Sequence, residues 1–473
     1  MKMGLMWGLA VLLGLCLGVS CILEYEIPKN TECFRNLIMS PNSTGNPIEC
    51  VHLFTSYIKG MQYRLNYTEE QMNWILDLER GMMQKHSIKK RHKRQAMLGI
   101  RQDCRTLSPM QRNNLFGTVR QLKETPIGNG NNEYDTLADI HNEMNSQGAH
   151  GGPSFLGWHR VYLSMFEEAL NRLREGISLC YWDSTLDFLM EGASQRRTVT
   201  FTEAMFGNGR GSVINGPFAD WPIGNGQTLR RNIGSPGSSL MRPGVVDAIM
   251  YDPAIRSHSQ IVVGGQGFPD PDVPNQRINL ESEHDNPHVW VGGVMNNIAQ
   301  SPRDPVFWFH HTFIDYIWEV FRMKLQQLGV DVERDYPFTQ NWQFHGWWRP
   351  MAGIPGLRNI DGYANRYARQ YAPHATCGNG CGGSTEFLYC PSGGADSDRC
   401  ITYEAEADVA PMAAASGIAA FGAARAGAAG APAMMSLQQT ASVALQRSAQ
   451  EGPLQLSGPN FSPSVQDDRL NAP

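Results

Sequence analysis

The chain has 473 residues, of which 41% are hydrophobic, and a formal net charge of -5. This length predicts one large domain with appendages, and the hydrophobic content is enough for a full core. The mildly acidic balance disfavours a nucleic-acid-binding protein, which would present a basic face.

The first 23 residues have the pattern of a secretory signal peptide. Lys2 supplies the positive start, an apolar run extends from Leu5 to Val19, and small residues close it. A membrane anchor is the alternative, but the apolar run is about 15 residues and a span needs roughly 20. We therefore expect a secreted, extracellular protein without a membrane partner.

Residues 24–94 form a cysteine-containing N-terminal segment that ends in the basic run Lys89–Arg94. The run is interpreted either as a solvated loop or as a site for a secretory-pathway protease, since Arg91-His-Lys-Arg94 matches such a site. Both interpretations stay open, and cleavage would make the segment a propeptide. Nuclear localisation is disfavoured behind a signal peptide.

Residues 95–375 hold most of the aromatic and histidine residues, and we predict that they form the catalytic core. Apolar residues recur at helical spacing in three stretches, 135–144, 158–174 and 305–324. The Pro/Gly-rich chain from Gly207 to Asn275 is predicted to form long surface loops. The fold class that follows is mainly α, a metal-bearing helical bundle with long loops and few strands.

Cysteine usage fits an oxidising compartment. Ten cysteines are present, of which Cys16 leaves with the signal peptide and Cys21 lies near its end. The other eight are Cys33, Cys50, Cys104, Cys180, Cys377, Cys381, Cys390 and Cys400. An even number permits a full disulfide set, whose pairing the sequence does not give. A zinc site in the Cys/Gly-rich module 376–400 is the alternative, but disulfides are favoured in a secreted chain.

The C-terminal residues 401–473 are predicted to form a low-complexity, flexible tail. Pro411 and Pro432 interrupt an Ala/Gly/Met-rich run, and the end is rich in Ser, Pro and Gln. The prolines and the weakly apolar alanines disfavour a membrane span here. Three Asn-x-Ser/Thr triplets match the glycosylation pattern, at Asn42, Asn66 and Asn460.

Histidines cluster in two short windows of the core. Of 13 histidines, seven lie within residues 141–159 and 284–311. They are His141, His150 and His159 in the first window, and His284, His288, His310 and His311 in the second. His284 and His288 are four residues apart, so on a helix they share one face, with Cβ atoms about 5–6 Å apart, and can chelate one metal. A lone histidine is more often a hydrogen-bonded surface or core residue. Chance does not easily produce two windows that each hold at least three histidines.

The types of ligand limit which metals could bind. Neutral imidazoles suit copper, zinc, iron or nickel. No carboxylate completes an obvious two-histidine-one-carboxylate site, which disfavours non-haem iron. The residues between His284 and His288 are Asp285-Asn-Pro, so the metalloprotease motif His-Glu-x-x-His is absent there. Two separate three-histidine sets favour a pair of coppers, which can deliver two electrons to O2.

Two longer motifs carry a family resemblance. They are His150-Gly-Gly-Pro-Ser-Phe-Leu-Gly-Trp-His-Arg-Val-Tyr-Leu-Ser-Met-Phe-Glu167 and Asp304-Pro-Val-Phe-Trp-Phe-His-His-Thr-Phe-Ile-Asp315. The two closely resemble the first and second copper signatures of the tyrosinase family, and the second, extended back to Ser301-Pro, is highly specific. The resemblance covers about residues 100–350. The cysteine-containing N-terminal segment and the biased tail resemble the invertebrate, mollusc-shell type of tyrosinase.

The resemblance implies a dinuclear type-3 site with two copper ions and a role for each matching residue. The first copper would be held by His141, His150 and His159, and the second by His284, His288 and His311. In the family the second histidine of the His-His pair is the ligand, so His310 resembles a residue that supports the ligands. Phe307 matches the aromatic residue beside the site. Arg160 and Asp315 resemble the structural base and acid of the family, which predicts a buried ion pair.

Two departures from the family pattern stand out. Asp285 follows the first ligand of the second set, where hydroxylating members often carry Asn, and it would affect how a water near the site takes a proton from a phenol. Oxidation of diphenols is therefore a firmer expectation than hydroxylation of monophenols. No cysteine lies just before His150, so the Cys–His thioether of some members is not expected there.

The function that the resemblance implies is oxidation of phenols or catechols to o-quinones with O2. The substrate would be a small phenol or a tyrosyl side chain, and the quinones would form pigment or cross-link extracellular or shell matrix proteins. An oxygen carrier of the haemocyanin kind is one alternative, although haemocyanins are large arrays. A non-catalytic structural matrix protein is another, and the complete histidine set argues against it.

Overall fold

The structure is a computed structural model that describes residues 67–85, 99–128, 130–142, 148–190, 192–384, 386–391 and 398–405. The predicted signal peptide, the basic run Lys89–Arg94, the asparagines of the three glycosylation triplets and the predicted tail beyond Ala405 lie outside the described residues. Cys33 and Cys50 lie outside them as well.

The described chain is mainly α-helical, as predicted. Its helices are α1 (Glu69–Lys85), α2 (Pro109–Glu124), α3 (Glu133–Ala138), α4 (Ser154–Leu173), α5 (Ser184–Phe188), α6 (Pro243–Tyr251), α7 (Leu280–Val291), α8 (Val306–Gln327) and α9 (Trp342–His345). None of these helices is both long and apolar enough to span a lipid bilayer.

Strands are short and peripheral. They are β1 (Pro126–Ile127), β2 (Asn131–Asn132), β3 (Arg210–Ser212), β4 (Pro222–Gly224), β5 (Gln227–Thr228), β6 (Arg230–Asn232), β7 (Phe268–Pro269), β8 (Arg277–Ile278), β9 (Leu388–Tyr389) and β10 (Ile401–Thr402). They pair antiparallel as β1–β2, β3–β6, β4–β5, β7–β8 and β9–β10. The prediction of a helical fold with few strands is therefore confirmed.

Helices α4 and α8 form the centre of the core. Every residue of α4 from Ser154 to Leu170 is buried, and α8 is buried without a break from Val306 to Trp318. Helices that are apolar on nearly all sides are stable only when other elements cover them. The rings of Phe166 and Trp308 stack at 3.8 Å between the two helices. Both helices match the predicted stretches, and α4 begins four residues earlier than predicted, directly after Pro153.

The described part of the N-terminal segment is built into this core. Ile75, Leu78 and Met82 of α1 are almost fully buried. A Cβ atom at Gly81 would lie 2.7 Å from the Glu168 carboxylate, so glycine permits the close approach of α1 to α4. The boundaries of the segment and its removal as a propeptide remain predictions.

The sequence predictions fail in two places. The predicted helix 135–144 is instead α3, followed by a 3-10 turn over Asp139–His141 and an extended Asn142. Helix α3 begins early because the Asn132 side chain accepts a hydrogen bond from its first turn. The predicted loops 207–275 contain α6 and short strand pairs. The apolar face of α6 is only four residues, and the surrounding Pro/Gly-rich sequence hid it; they are Val245, Val246, Ile249 and Met250.

Three disulfides are present in the described chain, one between distant residues and two within the Cys/Gly-rich module. They are Cys104–Cys180, Cys377–Cys390 and Cys381–Cys400. The four cysteines of the Cys/Gly-rich module are thus paired with one another, and zinc is not needed to explain them. Ile401 pairs with Tyr389, so residues 401–405 belong to this module. The module therefore extends past residue 401, the predicted start of the tail.

A buried ionic network ties α4 to α8. The Nε of Arg160 donates to Asp315 at 2.6 Å, as the family resemblance led us to expect. Arg101, just before the core helices, contacts the same carboxylate at 3.2 Å and Glu167 at 3.0 Å. Since α4 and α8 also carry His159 and His311, the network fixes the two helices beneath the histidines.

Candidate metal centre

Three separate elements bring the first three histidines together. His141 ends the 3-10 turn after α3, His150 lies in the loop before α4, and His159 lies on α4 itself. The Nε2 atoms of His141 and His159 are 3.3 Å apart. The His150 ring centroid lies 4.7 Å from that of His141 and 5.0 Å from that of His159.

The second set forms between two helices. His284 and His288 lie on one face of α7, and His311 faces them from α8. The Nε2 of His311 lies 3.2 Å from the Nε2 of each of the other two. The spacing of four residues on α7 thus produces the shared face that the sequence predicts.

The two sets adjoin each other. The rings of His159 and His311 stack at 4.3 Å with an angle of 13° between their planes. Within each set the potential ligand atoms lie within 4.8 Å of one another. In the described part of the chain, these two sets are the groups of three or more histidine, cysteine or acidic residues that could hold a metal ion.

Backbone carbonyls orient four of the six imidazoles. The Nδ1 atoms of His141, His159, His284 and His288 face the carbonyl oxygens of Ile298 (2.8 Å), Phe155 (2.9 Å), Glu281 (3.1 Å) and Met295 (2.9 Å). A carbonyl only accepts hydrogen bonds, so each Nδ1 carries the proton and each Nε2 presents a lone pair to the set. In the first set, the lone pairs of His141 and His159 lie 3.3 Å apart and repel each other unless a cation lies between them. In the second set, the lone pairs of His284 and His288 both face the His311 Nε2 at 3.2 Å. The residues therefore fit a metal, and their donor type fits copper.

Five of the six histidines are also held in the neutral form that binds metal. Burial, and then the neighbouring histidines, lower the pKa of His150 and of His288 to about 3. Burial likewise lowers the pKa of His141, His159 and His311 far below the ordinary value. At these five residues no proton competes with a metal at neutral pH.

His310 and Phe307, both predicted to serve the site, lie next to the histidines in different ways. The Nε2 of His310 donates to the His284 carbonyl at 3.0 Å, so this ring faces backbone rather than the set. The Phe307 ring lies 4.1 Å from His311 and 5.0 Å from His141, and so contacts both sets.

Asp285 lies on the outer side of the second set. Its Oδ1 is 3.1 Å from the Nδ1 of His284, on the far side of that ring from the Nε2 that faces His311. Partial burial opposes ionisation, but the hydrogen bond from His284 and the neighbouring histidines together outweigh it and lower the pKa of Asp285. The side chain is 67% exposed, so it also contacts solvent.

Glu281 is a residue of this region that the sequence analysis did not single out. It is buried on α7, and its Oε1 accepts from the Gly151 N–H at 2.6 Å, next to His150. Burial raises its pKa to about 8. Its position three residues before His284, on the same helix face, is a signal that could have indicated it.

This pKa predicts a pH effect that Glu281→Gln should remove. Because the folded-state pKa is raised, the folded chain keeps a proton that the unfolded chain releases. As the pH rises from 6 to 8, the titration of Glu281 should therefore lower the unfolding free energy by about 2 kcal/mol. Urea unfolding of both copper-free proteins at the two pH values measures this, since effects of the histidines cancel in the difference. An equal pH response in the two proteins would contradict the assignment.

Comparisons with known proteins agree with this geometry. Residues 131–324 match the family model described as the common central domain of tyrosinase. Tyrosinase-like protein 1 of Margaritifera margaritifera, a mollusc, is 47% identical over 99% of this chain and 100% of its own length. The tyrosinase of Streptomyces antibioticus is 33% identical over 46% of this chain and 81% of its own.

A similar solved structure is the polyphenol oxidase of Thermothelomyces thermophila, at 17% identity and a TM-score of 0.44, covering 63% of this chain and 98% of that one. The family assignment itself depends on the match over the full length of the mollusc protein, which includes both histidine windows. This chain belongs to the tyrosinase family, and its two histidine sets could form the dinuclear copper site of that family.

Proposed function

We propose that this chain is a copper-dependent oxidase that converts phenols or catechols to o-quinones with O2. The observation that carries the proposal is the pair of adjoining three-histidine sets, in which four imidazoles turn Nε2 lone pairs inward and the rings of His159 and His311 stack between the sets. One copper per set would place two metals side by side, the arrangement needed to transfer two electrons.

Each residue has a distinct part in this proposal. The first copper would be held by His141, His150 and His159, and the second by His284, His288 and His311. When bound, the copper pair supplies the Lewis acidity and the electron exchange with O2. His310 would hold the His284 backbone through its hydrogen bond, and Asp285 would keep the proton of His284 on Nδ1.

The surroundings of the sets favour substrate entry from one side. His150 and His288 are partly exposed, whereas His141, His159, His284 and His311 are buried. Phe307 lies against both sets and excludes water from the inner side. A planar phenol would therefore approach past His150 and His288, with its hydroxyl oxygen toward the Nε2 atoms.

Diphenols are the substrates that the proposal favours. Asp285 takes the place of the asparagine found in hydroxylating members, and its carboxylate is occupied by the His284 Nδ1–H. We infer a secreted protein that acts on small phenols or tyrosyl side chains, for pigment or for cross-linking of extracellular or shell matrix. The signal-like N-terminus and the three disulfides support secretion.

Copper quantitation and substrate turnover test the proposal together. The purified chain should bind two coppers and develop a near-ultraviolet charge-transfer band when peroxide is added. It should also oxidise L-DOPA, and turn over tyrosine more slowly without added diphenol. Fewer than two coppers and no band would contradict the dinuclear site. Reversible O2 binding without L-DOPA oxidation would instead identify an oxygen carrier.

A further inference from the structure

The loop that carries His150 is held by a segment almost two hundred residues away. We call this segment, Phe344 and His345, the clamp. His345, at the end of α9, is only 1% exposed and packs against the loop. A Cβ atom at Gly152 would lie 2.5 Å from the His345 ring, and one at Gly148 would lie 3.0 Å from the Phe344 carbonyl oxygen. The backbone on both sides of His150 therefore touches the 344–345 segment directly.

Hydrogen bonds through Ser154 connect the His345 ring to the loop. The Ser154 hydroxyl donates to the Gly148 carbonyl, so it can accept from the Nδ1–H of His345, which lies 2.6 Å from its oxygen. The His345 imidazole thus links the start of α4 to the chain before His150 through the Ser154 hydroxyl.

Hydrogen bonds to the backbone of residues 344–346 fix the clamp in place. The Asn359 side chain, fully buried, donates to the carbonyl oxygens of Phe344 at 2.9 Å and of Gly346 at 3.0 Å. The Tyr336 hydroxyl donates to the His345 carbonyl at 2.9 Å. The backbone on either side of His345 is thereby fixed, so its ring can impose a position on the loop.

His150 needs such support more than its partners do. His159 lies on a helix, and His141 ends a 3-10 turn, whereas His150 lies in a loop directly after Gly148 and Ala149. No cysteine lies just before it to form a covalent link.

We propose that His345 is a positioning residue that, through Ser154 and its contact with Gly152, sets the His150 imidazole for the first metal of the site. The inference rests on the proposed function in that the metal is copper. It assigns a role to a histidine outside both sets.

The test compares copper binding in His345→Leu, His345→Asn and a control. Leucine fills the space without a donor, whereas the asparagine amide nitrogen can take the place of Nδ1. His345→Leu should weaken copper binding at the first set by roughly 10–100-fold, the usual effect of removing a residue that supports a ligand. His345→Asn should restore most of it. Chelator competition measures the affinity, and an isolated Cu(II) signal in electron paramagnetic resonance reports the loss of one copper of the pair.

His258→Leu is the matched control. His258 is fully buried, bonds to Asp335 at 2.8 Å and packs its ring against Trp318, Phe321 and Tyr363, so its loss should lower thermal stability but leave both coppers bound. Equal copper loss in this control would overturn the proposal, because general destabilisation would then explain the result. So would wild-type copper affinity in His345→Leu.

Two further measurements keep the test decisive. If His345→Leu does not fold, Ser154→Ala removes the bridging hydroxyl and should weaken the first copper in the same assay; unchanged affinity there would overturn the proposal. The wild-type chain is measured first. If it binds no copper pair, the proposed function is contradicted. If it binds the pair and the variants bind copper equally well, only the role of His345 is contradicted.

Discussion

Replacing His311 by alanine should abolish oxidase activity, with a fall in kcat/KM of more than about 100-fold, because even residues that only support metal ligands change metal affinity or activity by roughly 10–100-fold. The Nε2 of His311 lies 3.2 Å from the Nε2 atoms of both His284 and His288, so it completes the second set. Its ring also stacks on His159 and joins the two sets. His159→Ala should have the same effect on the first set.

The neighbouring His310 provides a control of the same residue type on the same helix. His310→Ala removes a hydrogen bond to the His284 carbonyl but no Nε2 from the sets, so a measurable fraction of the activity should survive. Initial rates with L-DOPA and copper per chain measure both variants, with secretion as a check on folding. Retained activity in His311→Ala, or a greater loss in His310→Ala, would reverse the assignment of the pair.

Much of the site could be predicted because its signals are local. Two histidines four residues apart on α7, and a histidine on an apolar helix, are visible in short stretches of sequence. The long apolar helices α4 and α8 are visible for the same reason. Clustering thus indicates the seven histidines of the two windows, the family resemblance selects six of them, and the structure brings all six into two adjoining sets.

The contacts that orient those histidines could not be predicted, since they join residues far apart in sequence. His141 is held by the Ile298 carbonyl, 157 residues away, and Ser154 meets His345 across 191 residues. Carbonyl oxygens are present at every residue, so nothing in the sequence distinguishes the one that a histidine will reach. The 3-10 turn at His141 escaped prediction for a related reason, because the apolar spacing of residues 135–144 also fits a longer helix.

The second large effect concerns stability. Asp315→Asn should lower the free energy of unfolding by about 3–5 kcal/mol, the cost of removing one partner from a buried ionic group. Asp315 is 4% exposed and accepts hydrogen bonds from Arg160 at 2.6 Å, from Arg101 at 3.2 Å and from the Tyr371 hydroxyl. Asparagine has nearly the same shape, so the loss reports charge and hydrogen bonding rather than a cavity.

Asp77→Asn is the matched control, because Asp77 pairs with Arg80 on α1 with both side chains about half exposed. Solvent screens such a pair, so its loss should cost less than about 1 kcal/mol. Urea unfolding of the full chains measures both changes. The two guanidiniums beside Asp315 stay charged, since the carboxylates around them raise the pKa of Arg101 and of Arg160 above the ordinary value despite burial. A loss at Asp315 no larger than at Asp77 would mean that Glu167 and Glu319 compensate those charges without it.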